Sequence, residues 1–409
     1  MLKVYNTLTR RLEEFKPLRG KEVRLYTCGP SVYSPPHLGN FRTYVFEDAL
    51  KRALLFKGYR VRHVMNITDV EDKAVRAARG SMARMRAITR RNTAIFMKNS
   101  RSLNMLPADR YPRATQNIPR MVRLIKRLLE KGLAYRDESG NIFFDVSRFP
   151  GYGRLSHTRF RRSLTGRVFK DDYSQREAGD WLLWKAWRPS DGDIHWRTPL
   201  GKGRPGWHIE CSAMAARFLG PRFDIHMGGV DNIFAHHENE IAQSKGATGS
   251  MPARYWLHVR HLLIEGKKMS KSLGNYYTVD AVHRMGFGFD AIRMCLLAEH
   301  YRKRLNFTFR GLRGAARELR RCKSCLAALQ RKRFWEENPA ADKAAEAALA
   351  EFASHLDNDL DIPRAMTTFC LFVRRVQGLI RKRKFGCGNA KKVLDALRKM
   401  DSVLGFIYG

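Results

Sequence analysis

The chain is short of acid. Across 409 residues, 39 Asp and Glu face 77 Lys and Arg, a formal net charge of +38. Such an excess predicts a polyanionic partner, with nucleic acid the default, against the blander reading of a solvated basic surface. Long apolar runs are lacking too. No stretch reaches the ~18 residues a membrane span needs. The opening Met1-Leu-Lys-Val-Tyr-Asn6 lacks the apolar centre of a signal peptide. No membrane partner and a cytoplasmic location are expected. Seven cysteines, an odd number, do not make a disulfide scaffold. Internal repeats and low-complexity tracts are absent. What is abundant is hydrophobic content, 44%, with 11% aromatics, enough for the cores of about two to four domains.

The patterning predicts an α/β fold. Residues 23–29 read as a buried strand. Asn40 is expected to cap a helix that runs to about residue 57, with Phe41, Val45, Ala49 and Leu50 on one side and Gly58 as its stop. Residues 60–68 read as the next strand. Strand, helix and strand at this length make a βαβ unit, hence a parallel sheet whose ligands gather beyond the strands' carboxyl ends. Cys28 and Thr68 fall at those ends. Residues 70–135 read as mainly helical, with one amphipathic helix over 119–131. Residues 133–205 read as an insertion, with hairpin signals around Ser139-Gly-Asn. Residues 224–227 read as a short strand entering Gly228-Gly229, followed by a helix that carries His236 and Glu240. Residues 255–265 read as a further strand. From about Asp290 the chain reads as helical, with Pro339 and Pro363 marking helix boundaries.

Four separated residues read as one metal site. Cys28 ends an apolar run, and Cys211 sits in Gly206-Trp-His-Ile-Glu-Cys-Ser. His236 and Glu240 lie one helical turn apart in Ala235-His-His-Glu-Asn-Glu, so both can face one point. Two thiolates, an imidazole and a carboxylate are a zinc set. Two further segments suit phosphate chemistry. In Pro35-Pro-His37-Leu-Gly39-Asn40 a helix start offers N–H groups and Gly39 allows close approach. His37 can donate to phosphate oxygens there. In Lys268-Met-Ser-Lys271-Ser272 two ammonium groups can close over a polyphosphate. Alone, the first segment could be a plain Pro-rich loop and the second a basic hairpin tip. Together, in this order around a parallel sheet, they point to nucleotide chemistry.

These two segments resemble the signatures of class I aminoacyl-tRNA synthetases. The chain also carries Leu25-Tyr-Thr-Cys-Gly-Pro, Asn66-Ile-Thr-Asp-Val, Gly206-Trp-His-Ile-Glu-Cys-Ser, Gly228-Gly-Val-Asp, His236-His-Glu-Asn-Glu-Ile-Ala-Gln-Ser and Lys268-Met-Ser-Lys-Ser-Leu-Gly-Asn. This set resembles the cysteinyl-tRNA synthetase family. The resemblance implies a Rossmann-like catalytic domain (1–115 and 206–250) and an inserted connective peptide (116–205). It implies a stem-contact region around the Lys268 loop (251–309) and an all-α, tRNA-binding helical bundle (310–409). It implies zinc on Cys28, Cys211, His236 and Glu240, and a cysteine pocket lined by Gly29, Thr68 and Trp207. For ATP, which would come with Mg2+, it implies His37, Gly39, Asn40, Gly228, Gly229, Asp231, Lys268 and Lys271. His37, Asn40, Lys268 and Lys271 are its implied catalytic groups. Partners would be tRNA(Cys), L-cysteine and ATP, and the chain a monomer.

The physics agrees with that implication. Cysteine and serine differ by sulfur for oxygen, which an apolar pocket barely sorts, whereas a zinc ion prefers the thiolate. A fifth ligand exceeds the usual tetrahedron, so Glu240 is expected to be weak or to rearrange. Departures from the family pattern are Asn40 in place of His, Ala235 in place of Pro, and a stop near residue 406 where most members continue into an anticodon-contacting domain. His237 points about 100° from His236 on a helix and is expected in a second layer or in solvent. His208 and His226 are expected either as structural histidines or beside the adenine or the metal. Cys322 and Cys325 are expected to be small apolar residues. Basic clusters at 159–162, 317–321, 331–334, 374–375 and 381–384 suggest a tRNA-facing surface. Two alternatives stand beside the synthetase. One is a cysteine ligase of mycothiol-type synthesis, which a charge of +38 does not favour. The other is a non-catalytic tRNA-binding paralogue, which would not need every motif.

Overall fold

The structure is a computed structural model that describes residues 1–158, 179–270, 273–330, 336–382 and 384–407. Its centre is a four-stranded sheet in the order Ala253–Val259, Phe223–Gly229, Glu22–Thr27, Arg60–Met65, parallel throughout. Parallel neighbours need crossovers, and helices supply them on both faces. The period-two alternation of the strands divides the core. Val23 and Leu25 face one apolar cluster with Phe41, Val45 and Ala49 of the helix Leu38–Phe56. Tyr26 and Val64 face another, with Ile209 and Ala213 of the helix His208–Leu219.

The helix after the first core strand is capped differently from expectation. His37, not Asn40, is the N-cap, and Asn40 sits at the third helical position. The Asn40 N–H donates to His37 Nδ1 at 3.3 Å, and the His37 N–H donates to Asn40 Oδ1 at 3.0 Å. This reciprocal box satisfies two helix-end donors at once. The helix then runs to Phe56, and Gly58 follows at φ 81°. Its charged residues, Arg42, Glu47, Asp48, Lys51 and Arg52, are all buried. Asp48 accepts from Arg52 Nε (2.9 Å), Arg293 Nη2 (2.5 Å) and the Leu106 N–H (2.7 Å). Arg293 continues to Leu404 O and Leu103 O. Arg42 donates to the carbonyls of Leu296, Glu299 and His300, just where the helix Phe289–Leu296 ends and cations are favoured. The signature helix is thereby bolted to the C-terminal part of the chain.

Between the helices Leu38–Phe56 and His208–Leu219 in the sequence lies a five-stranded antiparallel sheet, Ala134–Arg136, Ile142–Phe144, Trp181–Ala186, Gly201–Pro205 and Trp196–Thr198. Its first hairpin turns at Gly140, φ 81°. The expected strand over 255–265 is two strands. Ala253–Val259 ends the parallel sheet, and Leu262–Ile264 enters a separate one with Lys267–Lys268 and Leu305–Phe307. The break falls at Arg260, whose N–H leaves the ladder for Tyr301 O at 2.8 Å. The strand Leu305–Phe307 also interrupts the region that reads as wholly helical. The helices Phe309–Gln330, Pro339–Asp357, Ile362–Arg381 and Cys387–Leu404 follow. Pro339 and Pro363 lie in first turns, behind caps from Asn338 and Asp361. No helix among the described residues is long and apolar enough to cross a membrane.

Candidate active site

The first and third core strands end side by side. The Cys28 N–H donates to Met227 O at 3.0 Å, which sets Cys28 beside the Gly228-Gly229 end of the neighbouring strand. Beyond Gly229 the chain passes through a wide turn, Ile233–His237, in which Phe234 leaves helical geometry at φ −130°. It then enters the helix Glu238–Thr248. This brings His236 and Glu240 over the strand ends, while Cys211 arrives on the first turns of His208–Leu219. Donor atoms of Cys28, Cys211, His236 and Glu240 all lie within 4.8 Å of one another, and all four residues are buried.

A lattice of histidines surrounds these four. His226 Nε2 lies 2.9 Å from Glu240 Oε2, where it donates once Glu240 is ionised, leaving Glu240 Oε1 turned toward His236 Nε2 at 3.1 Å. The other nitrogen of His236 meets His208 Nδ1 at 2.9 Å. His237 is fully buried rather than solvated. Its Nε2 is 3.2 Å from Cys28 Sγ, and its Nδ1 is 2.8 Å from His258 Nε2. His258 Nδ1 in turn meets the Thr7 hydroxyl at 2.8 Å. Cys28, His226, His237 and Glu240 form a second group of donors within the same span. Trp207 stacks on His236 at 4.4 Å between ring centroids, and Trp256 stacks on His226 at 4.6 Å.

Burial sets the charge of this cluster. It lowers the imidazoles of His208, His226, His236 and His258 to about 3, so each is neutral at pH 7. It raises the Glu240 carboxyl to about 8, opposed by His236. It raises the Cys28 thiol well above its ordinary range, reinforced by a hydrogen bond to Cys211. Neutral imidazoles with thiol and carboxyl groups are the state that a cation converts to a ligand set by displacing protons.

The floor of the pocket is stitched by Asn66. Its Oδ1 accepts the Gly29 N–H at 2.9 Å, and its Nδ2 donates to the Thr68 hydroxyl at 3.1 Å. Only glycine fits at 29, because a Cβ there would lie 1.8 Å from Asn66 O. The Lys268 loop meets the His37 loop. The Leu38 N–H donates to Tyr277 O at 2.9 Å, and the Tyr276 ring sits edge-on to His37 at 5.1 Å. Met269 reaches to 3.2 Å from where a Gly39 Cβ would stand. Asn275 braces the loop through the Ser270 N–H and Lys268 O. Because His37 Nδ1 accepts from Asn40, Nε2 carries the ring proton. Lys268 and Asp231 are exposed. Gly228 and Gly229 lie against Asn232, His237 and Asp231, where a Cβ would be 2.7 Å and 2.3 Å from the nearest atom.

Lys271 and Ser272, the basic clusters at 159–162 and 331–334, and Arg383 lie outside the described residues. Sequence reasoning missed His258, Trp256 and Thr7. Their one available signal was the position of His258 near the end of an apolar strand, the place where ligands collect.

Solved structures share this architecture. Methionyl-tRNA synthetase of Mycobacterium tuberculosis in complex with methionyl-adenylate matches with a TM-score of 0.67 at 19% identity, over 94% of this chain and 90% of that one. A LeuRS–tRNA–LeuAMS ternary complex from Agrobacterium radiobacter K84 matches with 0.67 at 13% identity, over 96% and 85%. The parallel sheet with its inserted and C-terminal parts is thus the fold of a class I aminoacyl-tRNA synthetase. The family model of class I (C) tRNA synthetase catalytic domains matches residues 14–317. Cysteine--tRNA ligases of Chlamydia muridarum and Chlamydia pneumoniae are 44% and 46% identical, over 99% and 98% of this chain and 87% and 86% of theirs. That of Protochlamydia amoebophila is 40% identical over 99% of this chain. The chain belongs to the cysteine--tRNA ligase family.

Proposed function

We propose that this protein joins L-cysteine to tRNA(Cys) through a cysteinyl-adenylate, with a zinc ion that selects the substrate thiol. The observation that carries the proposal is the convergence of Cys28, Cys211, His236 and Glu240 within 4.8 Å, buried at the ends of parallel strands beside the His37 loop. The donor set fits zinc: two sulfurs, an uncharged imidazole and a carboxyl oxygen, Glu240 Oε1, that faces His236 Nε2 at 3.1 Å without completing a hydrogen bond. Bound there, zinc would supply a soft acceptor for a thiolate, which a serine hydroxyl satisfies far less well.

The chain's own residues do the rest. Trp207, Gly29 and Thr68 wall the amino-acid pocket, with Asn66 fixing the latter two. His37 Nε2–H and the helix N-terminus behind Gly39 and Asn40 receive charge developing on the α-phosphate as the cysteine carboxylate attacks it. Lys268 and Lys271 neutralise the departing pyrophosphate as their loop closes. Asp231, in the turn after Gly228-Gly229, faces solvent where a ribose would sit. Magnesium would accompany the ATP. Residues 1–115 and 206–250 are the catalytic unit, 116–205 the insertion and 251–309 the stem contact. Residues 310–409 carry basic faces suited to tRNA, which a net charge of +38 favours over a small acceptor.

The test is ATP–pyrophosphate exchange with cysteine and with serine, followed by aminoacylation of a tRNA(Cys) transcript. Exchange should depend on cysteine and fail in Cys211→Ser, with the circular dichroism spectrum retained. Wild-type exchange by Cys211→Ser would sink the assignment.

A further inference from the structure

The Cys322-x-x-Cys325 spacing is not the thiol pair that the fold assembles. Cys322 lies on the helix Phe309–Gln330, and the thiol facing it is Cys370 on Ile362–Arg381. Donor atoms of Glu318, Cys322 and Cys370 lie within 4.8 Å of one another. Cys325 instead turns its sulfur to Val373 O, 3.8 Å away. Glu318 accepts from Arg321 Nη1 at 2.7 Å and from Arg374 Nη2 at 2.9 Å. Two guanidinium groups therefore stand beside the thiols. A cavity of about 240 Å3 opens on the same seam, lined by Met294, Cys295, Phe307, Glu318 and Met366. Glu318 and Met366, which line it, each lie one helical turn before Cys322 and Cys370.

We propose that Cys322 and Cys370 are a reactive thiol pair, oxidised by small hydroperoxides to a reversible disulfide between the two helices, with Cys370 the attacking sulfur. The Cys370 thiolate attacks one peroxide oxygen, the O–O bond breaks, and the departing hydroxide or alkoxide takes up a proton. The resulting sulfenic acid is attacked by the Cys322 sulfur. The S–S bond forms, hydroxide leaves the sulfenic sulfur, and the Cys322 proton converts it to water. Two thiols lose two electrons in all, and one hydroperoxide is reduced to water and an alcohol or a second water.

The roles follow from the surroundings. A hydrogen bond from the Cys322 S–H, with Arg374 and Arg321 nearby, holds the Cys370 thiol below its ordinary range despite burial. The same hydrogen bond, then burial, raises Cys322. Burial pushes Cys325 up to about 12, which leaves it inert. A metal at this trio is disfavoured, because both guanidinium groups already occupy Glu318 and repel a cation.

The reduced, zinc-loaded full chain is exposed to hydrogen peroxide and digested without reductant. Mass spectrometry should find a Cys322–Cys370 peptide pair that dithiothreitol separates. Cys325→Ser should keep that pair, and Cys322→Ser should leave a dimedone-trappable sulfenic acid at Cys370. In the unmodified chain, Cys370 should alkylate at least about tenfold faster than Cys325 or Cys295. A cross-link through Cys325, or Cys370 reacting no faster than Cys295, would overturn the proposal. So would one cadmium ion per chain bound in wild type and lost in Cys370→Ser, which would make the trio a metal site.

Discussion

The second layer of the site makes a quantitative prediction through His226. With Glu240 ionised as a metal ligand would be, His226 Nε2–H donates to Oε2 at 2.9 Å, deep in the fold, and the His226 ring stacks on Trp256 at 4.6 Å. The donated bond fixes the carboxylate with Oε1 toward His236 and Cys28. Replacing His226 with Phe keeps an aromatic ring on Trp256 but removes the donor. A hydrogen bond to a charged group is worth about 1.5–3 kcal/mol. Outer-layer partners of metal ligands change affinity by about 10–100-fold, and the two estimates coincide. Burial already lifts the Glu240 carboxyl to about 8, and losing the donor lifts it further, so an incoming ion displaces a more tightly held proton. His226→Phe should therefore bind zinc about 10–100-fold more weakly in competition with a chromophoric chelator, at unchanged circular dichroism. His226→Gln, which can restore a donor, should recover part of the loss. Wild-type affinity in His226→Phe, or an equal loss in His226→Gln, refutes a donor role.

Three other perturbations have defined outcomes. Gly29→Ala places a Cβ 1.8 Å from Asn66 O and displaces the residue that holds Thr68; the KM for cysteine should rise at least about tenfold with the KM for ATP unchanged, as pyrophosphate exchange would measure. Asp48→Asn leaves Arg293 and Arg52 buried without their anion and should cost about 3–5 kcal/mol in denaturant unfolding. Glu47 is fully buried, and burial raises its carboxyl well above 4.5, only partly offset by the Thr27 hydroxyl. The folded chain keeps this proton where the unfolded chain releases it. Its stabilising effect is complete below the unfolded pKa and is lost as pH rises above it, by about 1.4 kcal/mol per unit. Relative to wild type, Glu47→Gln should gain stability by that slope as pH rises above the unfolded carboxyl range; parallel pH profiles would contradict it.

Several of these features were legible in the chain and others were not, for physical reasons. Cys28, Cys211, His236 and Glu240 stand in contiguous motifs, and their residue types limit the chemistry. The strand–helix–strand opening dictated a parallel sheet, because hairpin lengths were missing. The strand order was not readable, since pairing Phe223–Gly229 with Glu22–Thr27 joins segments about 200 residues apart. His258 reaches the site through the pairing of Ala253–Val259 with Phe223–Gly229, and Thr7 through its N–H on Trp256 O, contacts that no local pattern announces. The cap at His37 was misread because local preference favours Asn, whereas the reciprocal box decided the register. The strand over 255–265 concealed a change of sheet, because apolar residues continue on both sides of Arg260. Cys322 has its partner on another helix, a contact that Cys-x-x-Cys spacing does not announce.

The chain separates two electrostatic tasks. Its excess of +38 is long-ranged and suits capture of a polyanion, at rates that salt should depress. A dication entering a site among charged imidazoles would be repelled at that same neutral pH. Burial removes the conflict. With His208, His226, His236 and His258 lowered to about 3, the lattice around Glu240 adds hydrogen bonds and ring contacts but no positive charge. The cost is desolvation of a carboxyl and a thiol, which a metal ion repays when it replaces their protons. A basic exterior and a neutral, proton-loaded interior are therefore compatible in one fold because the site is buried at the strand ends rather than exposed with the basic charge.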